Sequence, residues 1–166
     1  DYGNPKEYVI ADITVQAPDA FDKNLLVALS GLVKGDKIRI PGDPISNAIK
    51  NLWKTGLFKD VQVYATRMSA GMVFLNIRVA ERNRLNYYKY ANRNDISKSE
   101  AEDLSDMMHL QHGMMVTDEM IKTSEQIVQD FLVEKGYLDA KVWIEQKPDT
   151  AKKDYVVFII HHKRGP

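Results

Sequence analysis

The residues SGLVKGDKI at 30–38 and AIKNLWKTGLFKDVQV at 48–63 decide the fold of the first half of this sequence. In the second stretch, apolar residues with helical spacing give way at Gly56 to alternating apolar and polar residues, which is typical of a strand. We therefore predict that Gly56 ends a helix in the left-handed conformation, which glycine adopts without strain. Gly35 interrupts an earlier helical pattern and is predicted to form a tight turn between two helices. The helical positions are Leu25, Leu26, Leu29 and Leu32 before this turn, and Ile45, Ala48, Ile49, Leu52 and Trp53 after it.

Helix start signals and alternating apolar residues complete the first half. Asp22 is predicted to cap the first helix. Asp43 is predicted to cap the second, with Pro44 at its first position. One strand is predicted before the helices and two after them, the last two joined by a turn at 68–71. The predicted strands cover residues 9–15, 61–65 and 73–79. The order of elements is therefore β-α-α-β-β.

The second half of the sequence repeats this order. Ser97 and Glu100 form a capping box, which predicts a helix start, and Gly113 is predicted to end that helix. A second helix is predicted from Thr117 to Gly136. The glycines recur at similar offsets, since 113 − 35 = 78 and 136 − 56 = 80. The predicted strands cover residues 85–91, 142–144 and 155–160.

A repeat of about 80 residues fits two small tandem domains better than an array of short repeats. We place the boundary in the polar segment Glu81–Arg84, so that the first domain covers residues 1–82 and the second covers residues 83–166. Each domain is predicted to be an α+β fold, with two helices packed on one face of a three-stranded mixed sheet. The other face of each sheet is left for solvent or a partner.

The two halves resemble POTRA domains, the polypeptide-transport-associated modules of outer-membrane β-barrel assembly factors of the BamA type. The first half carries the family pattern of a G-L-x-x-G-D-x-I turn followed by A-I-x-x-L-x-x-x-G-x-F-x-D-V-x-V. The second half follows a looser variant and lacks the Gly-Asp pair, because Gly113 is followed by Met114. These positions are requirements of the fold and do not identify an active site. The motif residues are Gly35, Asp36, Gly56, Phe58, Asp60 and Val61 in the first half, and Gly113, Gly136 and Tyr137 in the second.

The composition of the chain argues against several classes of function. Its 166 residues contain 23 Lys and Arg and 23 Asp and Glu, so the net charge is zero and no global field attracts nucleic acid. There are no cysteines, which excludes disulfides, thiol nucleophiles and cysteine-based zinc sites. We find no P-loop, dinucleotide-binding glycine motif, nucleophile elbow or zinc-helix motif. We therefore predict a binding module without cofactors or metals, and not an enzyme.

Several groups of side chains have both a structural and a functional interpretation. The spacing of His109 and His112 could let them share a metal, but no third ligand is near in sequence, so we favour a structural role. The segment HHKR at 161–164 could attract anionic groups, but we predict a solvated strand end. We expect the methionines at 107–120 mainly to fill the core, although such residues also adapt to partners. The tyrosines at 87–90 should be buried on one face of their strand and exposed on the other.

The resemblance implies a periplasmic part of an outer-membrane protein in a Gram-negative cell envelope. It implies a scaffold that binds accessory assembly lipoproteins and strands of unfolded outer-membrane proteins, and passes these strands to a membrane β-barrel of the same chain. Because the sequence begins at Asp1 without an initiator methionine, we expect it to be part of a longer processed protein. The alternatives are a POTRA pair of a related translocator, such as a two-partner secretion or translocation-and-assembly protein, and a cell-division POTRA protein.

The edges of the two sheets are the predicted binding sites. An edge strand has unpaired main-chain groups, to which an extended peptide can add with little dependence on its sequence. In POTRA domains, the strand after the second helix is commonly the exposed edge. The alternative is that charges blunt these edges or the neighbouring domain covers them. The candidate peptide-binding residues are Val61, Gln62, Val63, Tyr64, Ala65 and Thr66 in the first half, and Val142, Trp143, Ile144 and Glu145, continuing to Gln146, in the second.

Overall fold

The computed structural model describes residues 5–165 and divides into two compact units between Arg82 and Asn83. We call the part before this division the first unit and the part after it the second unit. Each unit is an α+β fold that contains one mixed sheet, two helices and its own buried core.

The first unit has a four-stranded sheet. Its elements are β1 (Lys6–Gln16), α1 (Lys23–Ser30), β2 (Lys37–Ile40), α2 (Asp43–Trp53), β3 (Phe58–Ser69) and β4 (Met72–Glu81). The strands lie in the order β2-β1-β4-β3, with β1 parallel to β4 and the other neighbours antiparallel. The structure thus adds one short strand, β2, to the three that the sequence predicts. It forms because residues 37–40 alternate in polarity and pair with residues 6–9 of β1.

Helix α1 buries a narrower face than its leucines predict. Asp22 caps the helix as expected, and its carboxylate accepts a hydrogen bond of 2.9 Å from the amide of Asn24. Leu26 is 2% exposed, whereas Leu25 is 55% exposed and Leu29 is 40% exposed. Successive helical residues are rotated by about 100°, so Leu25 and Leu29 share a stripe beside the one that Leu26 places on the core. The helical spacing of the four leucines therefore does not place Leu25 and Leu29 on the core.

Helix α2 begins one residue earlier than predicted. Gly42 occupies the N-cap position, so Asp43 is the first helical residue and not the cap. A Cβ at Gly42 would lie 2.6 Å from the carbonyl oxygen of Arg39, so this approach of the chain to the helix requires glycine. Farther along α2, Leu52 is fully buried, but Trp53 is 41% exposed and lies off the predicted apolar face.

The turn from α2 into the sheet has the predicted left-handed glycine, although the helix itself ends at Trp53. Gly56 has φ +71°, in the left-handed region. Two residues later, Phe58 is 1% exposed, and its ring lies 5.1 Å from that of Phe21. The core beneath the helices is completed by one face of the central strand β4, formed by Val73, Leu75, Ile77 and Val79.

The second unit has the predicted three-stranded sheet. Its elements are β5 (Arg84–Tyr90), α3 (Lys98–Met108), α4 (Asp118–Glu134), β6 (Lys141–Pro148) and β7 (Tyr155–Lys163). The strands lie in the order β5-β7-β6, with β5 parallel and β6 antiparallel to β7. The core contains Leu104 from α3, Val128 and Leu132 from α4, and Phe158 and Ile160 from β7.

Helix α3 confirms its predicted start but not its predicted end. The capping box between Ser97 and Glu100 is formed in both directions. The helix ends at Met108 and not at Gly113, because His109 adopts a left-handed conformation with φ +55° and its amide bonds to the carbonyl of Ser105. Gly113 instead forms the tight turn that leads towards α4, with φ +87°.

Each unit has the same pair of main-chain hydrogen bonds between this glycine turn and its first strand. In the first unit, the amide of Gly35 donates to the carbonyl of Ile10 at 2.8 Å, and the amide of Ile10 donates to the carbonyl of Asp36 at 2.9 Å. In the second unit, Gly113 donates to Leu85 and Leu85 donates to Met114, each at 2.8 Å. Because the residue after the glycine contributes only its carbonyl to this pair, Met114 can stand where the first unit has Asp36.

Candidate strand-binding edges

A segment of the same unit bonds to the outer side of the first strand of each sheet, over four residue pairs in the first unit and only at the start of β5 in the second. In the first unit, β2 pairs with β1 over four residue pairs. In the second unit, the corresponding segment forms a single bridge between Arg84 and Met115, and the amide of Val116 donates to the carbonyl of Asn83 at 2.8 Å. The opposite edge of each sheet is the strand after the second helix, β3 in the first unit and β6 in the second.

All six candidate residues of the first half lie on β3. Val61 and Val63 face the core and are 6% and 7% exposed, whereas Tyr64 on the other face is 39% exposed. The pairing of β3 with β4 shifts register between Phe58 and Asp60 and again between Ala65 and Arg67. These shifts leave a regular stretch from Asp60 to Ala65.

A buried amide holds the sheet face beside this stretch. Asn76 on β4 is 4% exposed, and its side-chain nitrogen donates to the hydroxyl of Tyr64 at 2.8 Å. Its side-chain oxygen accepts a hydrogen bond of 2.8 Å from the hydroxyl of Thr14 on β1. The amide therefore links three strands and fixes the position of Tyr64 next to the edge. A single Asn within a strand pattern did not indicate this link in the sequence.

The candidate residues of the second half lie on β6. Val142 and Ile144 pack against the core, and Trp143 and Glu145 lie on the opposite face, where Trp143 is 40% exposed. His161 on β7 stacks on Trp143 with ring centroids 5.2 Å apart, and its Nε2 lies 2.8 Å from Oε1 of Glu145. The hydrogen bond from His161 lowers the pKa of Glu145 below its usual value. Trp143 and Glu145 are thus held in place by the neighbouring strand.

One main-chain group of the β6 edge is already bonded to a side chain. The amide of Ile144 donates to Oε2 of Glu125 on α4, at 2.9 Å. Sequence reasoning missed Glu125, because its position on the helix gives no sign that its carboxylate reaches a strand.

The segment 161–164 is an ordered part of the second unit and not a solvated strand end. His162 has a side chain that is 3% exposed, and its Nε2 lies 2.9 Å from Oδ2 of Asp95. The guanidinium of Arg164 donates to the other oxygen of Asp95, and lies 4.9 Å from the ring centroid of Tyr137. The hydrogen bond from Arg164, assisted by that from His162, lowers the pKa of Asp95 to about 2 against the opposing effect of burial.

A second link joins Asp95 to the helices. Lys135, just after α4, donates from Nζ to the main-chain oxygen of Asp95 at 2.6 Å and to Oε1 of Glu100 at 2.8 Å. Hydrogen bonds from Lys135 and Ser97 lower the pKa of Glu100. We call Asp95, His162, Arg164, Lys135 and Glu100 the Asp95 cluster. The Asp95 cluster connects the end of β7 to the start of α3 and the end of α4, so its role is to hold these elements together.

The histidines at 109 and 112 take part in local structure. Within residues 5–165, no three His, Cys, Asp or Glu side chains are grouped to hold a metal. His109 ends α3, while His112 lies 3.0 Å from the carbonyl oxygen of Asn86 and stacks on Tyr155. In the same range, no helix has the length and apolar character needed to cross a membrane.

The methionines and tyrosines divide between core and surface. Met108 is 7% exposed and Met120 packs against the core, whereas Met107 is 56% exposed and Met114 is 40% exposed. Tyr87 is 51% exposed, and Tyr88 and Tyr90 on the other face of β5 pack against the core. The alternation predicted for the tyrosines is confirmed, while core filling holds for only part of the methionine group.

Comparison with known proteins identifies the fold. Residues 94–163 match the POTRA family model, described as "Surface antigen variable number repeat". No curated protein matches the sequence. Among solved structures, the chain is similar to the N-terminal domain of Omp85 from Thermosynechococcus elongatus, with a TM-score of 0.63 and 15% identity over 95% of this chain and 63% of that one.

Two further structures have the same fold. POTRA domains 1–2 of the periplasmic domain of Omp85 from Anabaena match with a TM-score of 0.57 and 13% identity, covering 95% of this chain and 96% of that one. POTRA domains 3–5 of BamA from Haemophilus influenzae match with a TM-score of 0.51 and 17% identity, covering 98% and 68%. The chain therefore has the fold of tandem POTRA domains, and its second unit carries the sequence match to the POTRA family.

Proposed function

We propose that this chain is a periplasmic POTRA pair of an outer-membrane protein assembly factor, and that β3 and β6 receive extended strands of unfolded outer-membrane proteins. The observation that carries this proposal is the same in both units. A segment of the unit itself bonds to the first strand, over four residue pairs in the first unit and at the start of β5 in the second, and the strand after the second helix forms the opposite edge.

Strand addition suits a protein that must accept many different clients. An added strand bonds through its main chain, so affinity comes from groups that every client possesses. The side chains on either face of the edge then add a modest selectivity. On β6, one face offers the half-buried Val142 and Ile144, and the other offers Trp143 beside Glu145.

We propose the compartment and the remaining partners from the likeness to solved POTRA structures. The Omp85 structure from Anabaena is of a periplasmic domain, which supports a periplasmic location for this chain. We propose that accessory assembly lipoproteins bind the same pair of domains, and that a membrane β-barrel of the same protein receives the clients. We propose a binding and not a catalytic role.

Nuclear magnetic resonance can test the proposal directly. A peptide of about ten residues, the length of a transmembrane β-strand, is titrated into the isotope-labelled chain. We expect amide shifts to change along Asp60–Ala65 of β3 and Val142–Gln146 of β6, and to change much less along β1, which is paired with strands on both sides. Two matched peptides carry N-methyl groups on alternate residues, one on the odd-numbered and one on the even-numbered positions. Each of them therefore lacks half of the main-chain donors.

The N-methylated peptides separate main-chain addition from other contacts. Only one of the two alternating sets of amides faces the edge, so one N-methylated peptide should lose binding and the other should keep it. Equal binding of both N-methylated peptides, or shift changes confined to the sheet faces, would contradict strand addition.

A further inference from the structure

We infer that Glu125 is a built-in competitor for the β6 edge, so that a client strand adds to β6 only by displacing the Glu125 carboxylate from the amide of Ile144. This inference rests on the proposed function and states what regulates one of its two sites. It gives the two edges different affinities for the same client, although they occupy the same place in the fold.

The pairing of β6 shows that Glu125 sits on the binding side of the strand. Ile144 is paired in register with Ile160 of β7, yet its amide bonds to Glu125 on α4. In an antiparallel pair, a residue whose amide points away from its neighbour also points its carbonyl away. Because the register of β6 is regular from Lys141 to Pro148, the main-chain groups of Val142 and Gln146 point in the same direction as those of Ile144.

The Ile144 amide therefore lies at the middle of the set that an added strand would use. Val142 and Gln146 flank it on either side, and Pro148 at the end of the strand has no amide to offer. A strand that leaves the Ile144 amide bonded to Glu125 can bond at one flank only. A strand that spans the whole edge must replace this contact.

The position of Glu125 on its helix makes the contact persistent. The adjacent Ser124 is 2% exposed and Val128, one turn later, is fully buried, so α4 is fixed against the core on this side. Glu125 itself is only partly exposed. A hydrogen bond to an ionised carboxylate is stronger than one between neutral groups. Because the helix is already held against the core, forming this bond costs little additional conformational entropy of the backbone.

The first unit lacks this competitor. The second helices of the two units align at an offset of 80, as shown by the buried pair Leu52 and Leu132, so Glu125 corresponds to Ile45 because 125 − 80 = 45. Ile45 has no side-chain acceptor and packs against the core. The two edges thus provide an internal comparison, in which the equivalent helix position holds a glutamate beside β6 and an isoleucine beside β3.

Three variants test the inference. Glu125→Ala removes the carboxylate and keeps the helix, since alanine has the highest helix propensity. Glu125→Gln keeps an oxygen that can accept from Ile144 but removes the charge. Glu134→Ala, at the exposed end of α4, removes the same charge elsewhere on the same helix. Each variant is titrated with the same strand peptide, and hydrogen exchange of the Ile144 amide is measured without peptide.

The expected result has two parts. Without peptide, the Ile144 amide exchanges faster in Glu125→Ala than in the unmodified chain. With peptide, Glu125→Ala binds at β6 about five- to tenfold more tightly, the value of one replaced hydrogen bond, and its affinity at β3 is unchanged. Glu125→Gln falls between these values, and Glu134→Ala matches the unmodified chain.

The contrary outcomes are distinguishable. If the peptide binds β6 with equal or lower affinity in Glu125→Ala, the competitor role is overturned while strand addition stands. If no peptide perturbs β6 in any variant, the proposed function fails for this edge, and the inference fails with it.

Discussion

At the scale of single residues, the second unit depends on one buried acid. Asp95 is 6% exposed, and its partners His162 and Arg164 lie 67 and 69 residues later in the chain. The carboxylate joins the end of β7 to the loop before α3, and Lys135 bonds to the main chain at the same point. An apolar residue at this position would leave His162 buried without its hydrogen-bond partner.

We expect Asp95→Asn to destabilise the second unit by about 2 kcal/mol at pH 7, because the hydrogen bonds from Arg164 and His162 lose their charged acceptor. The measurement is chemical unfolding followed by signals of the second unit. Asp106→Asn, an identical change on the exposed side of α3, is the control and should alter stability by less than about 0.5 kcal/mol. A loss no larger than that of the control would show that Asp95 contributes little.

The lowered pKa of Asp95 also predicts how the second unit responds to acid. The folded pKa of about 2 lies below the unfolded value of about 4, so the folded state favours the ionised form. The stabilisation is fully present above the unfolded pKa and is lost as pH falls towards the folded pKa. Stability measured between pH 5 and 2 should therefore fall less steeply in Asp95→Asn than in the unmodified chain. Equal slopes would contradict the assignment.

Residues whose role depends on near neighbours were predictable, and those that act over distance were not. The left-handed glycine at 56 and the capping box at Ser97 were both predicted, because a turn and a helix start require particular residue types in a short window. Asp95 and Glu125 acquire their roles only when distant elements pack together. Nothing in the residues around them distinguishes them from other exposed acids.

At the scale of elements, the turn of the β3–β4 hairpin holds an alanine in a strained backbone conformation. Its two turn residues, Ala70 and Gly71, have φ values of +52° and +75°. Two-residue hairpin turns commonly place both residues at positive φ, for which Asn-Gly is the preferred pair. Alanine is strained in this conformation. We therefore expect the β3–β4 hairpin to be less stable than the same hairpin with Asn at position 70.

Ala70→Asn should stabilise the first unit by about 0.5–1 kcal/mol, because Asn tolerates the left-handed region better than alanine. Thermal unfolding of the variant measures the change. Ala70→Val, which adds a branched side chain at the same φ, should lower stability instead. If both substitutions change stability in the same direction, the backbone conformation of residue 70 is not the cause.

The elements themselves were predicted with two exceptions. The helices and long strands follow from apolar spacing, because each buries one face against its unit's core. Strand β2 was missed because its four residues are too few for a pattern and it forms only beside β1. The end of α3 was misplaced because His109, and not a glycine, takes the left-handed position.

At the scale of the whole molecule, the two units have separate cores built on equivalent positions. Leu52 is fully buried in the first unit, and Leu132 is 1% exposed in the second. The core residues around Leu52 all belong to the first unit, and those around Leu132 all belong to the second. Folding energy is therefore gained within each unit, and we propose that each is a domain that unfolds as its own cooperative step.

Leu52→Ala should destabilise the first unit by about 2–5 kcal/mol, the usual range for a buried leucine, and leave the second unit unaffected. Leu132→Ala should have the reverse effect. Hydrogen exchange of core amides in each unit reports the two stabilities separately. Equal losses of protection in both units for either variant would show one cooperative molecule instead of two.

The unequal edges of the first sheet have a consequence for association. Strand β2 is four residues long, carries Lys37 and Arg39 and is followed by Pro41, whereas β3 on the other side is twelve residues long. A sheet with two open sides can act as a monomer of a growing polymer, since each new member exposes another attachment point. The first sheet has one long edge, β3, and one short, charged edge, β2, so we expect association to occur through β3. A second copy that pairs its β3 with this β3 leaves only the two short β2 edges, and we expect growth to stop there instead of extending into a fibre.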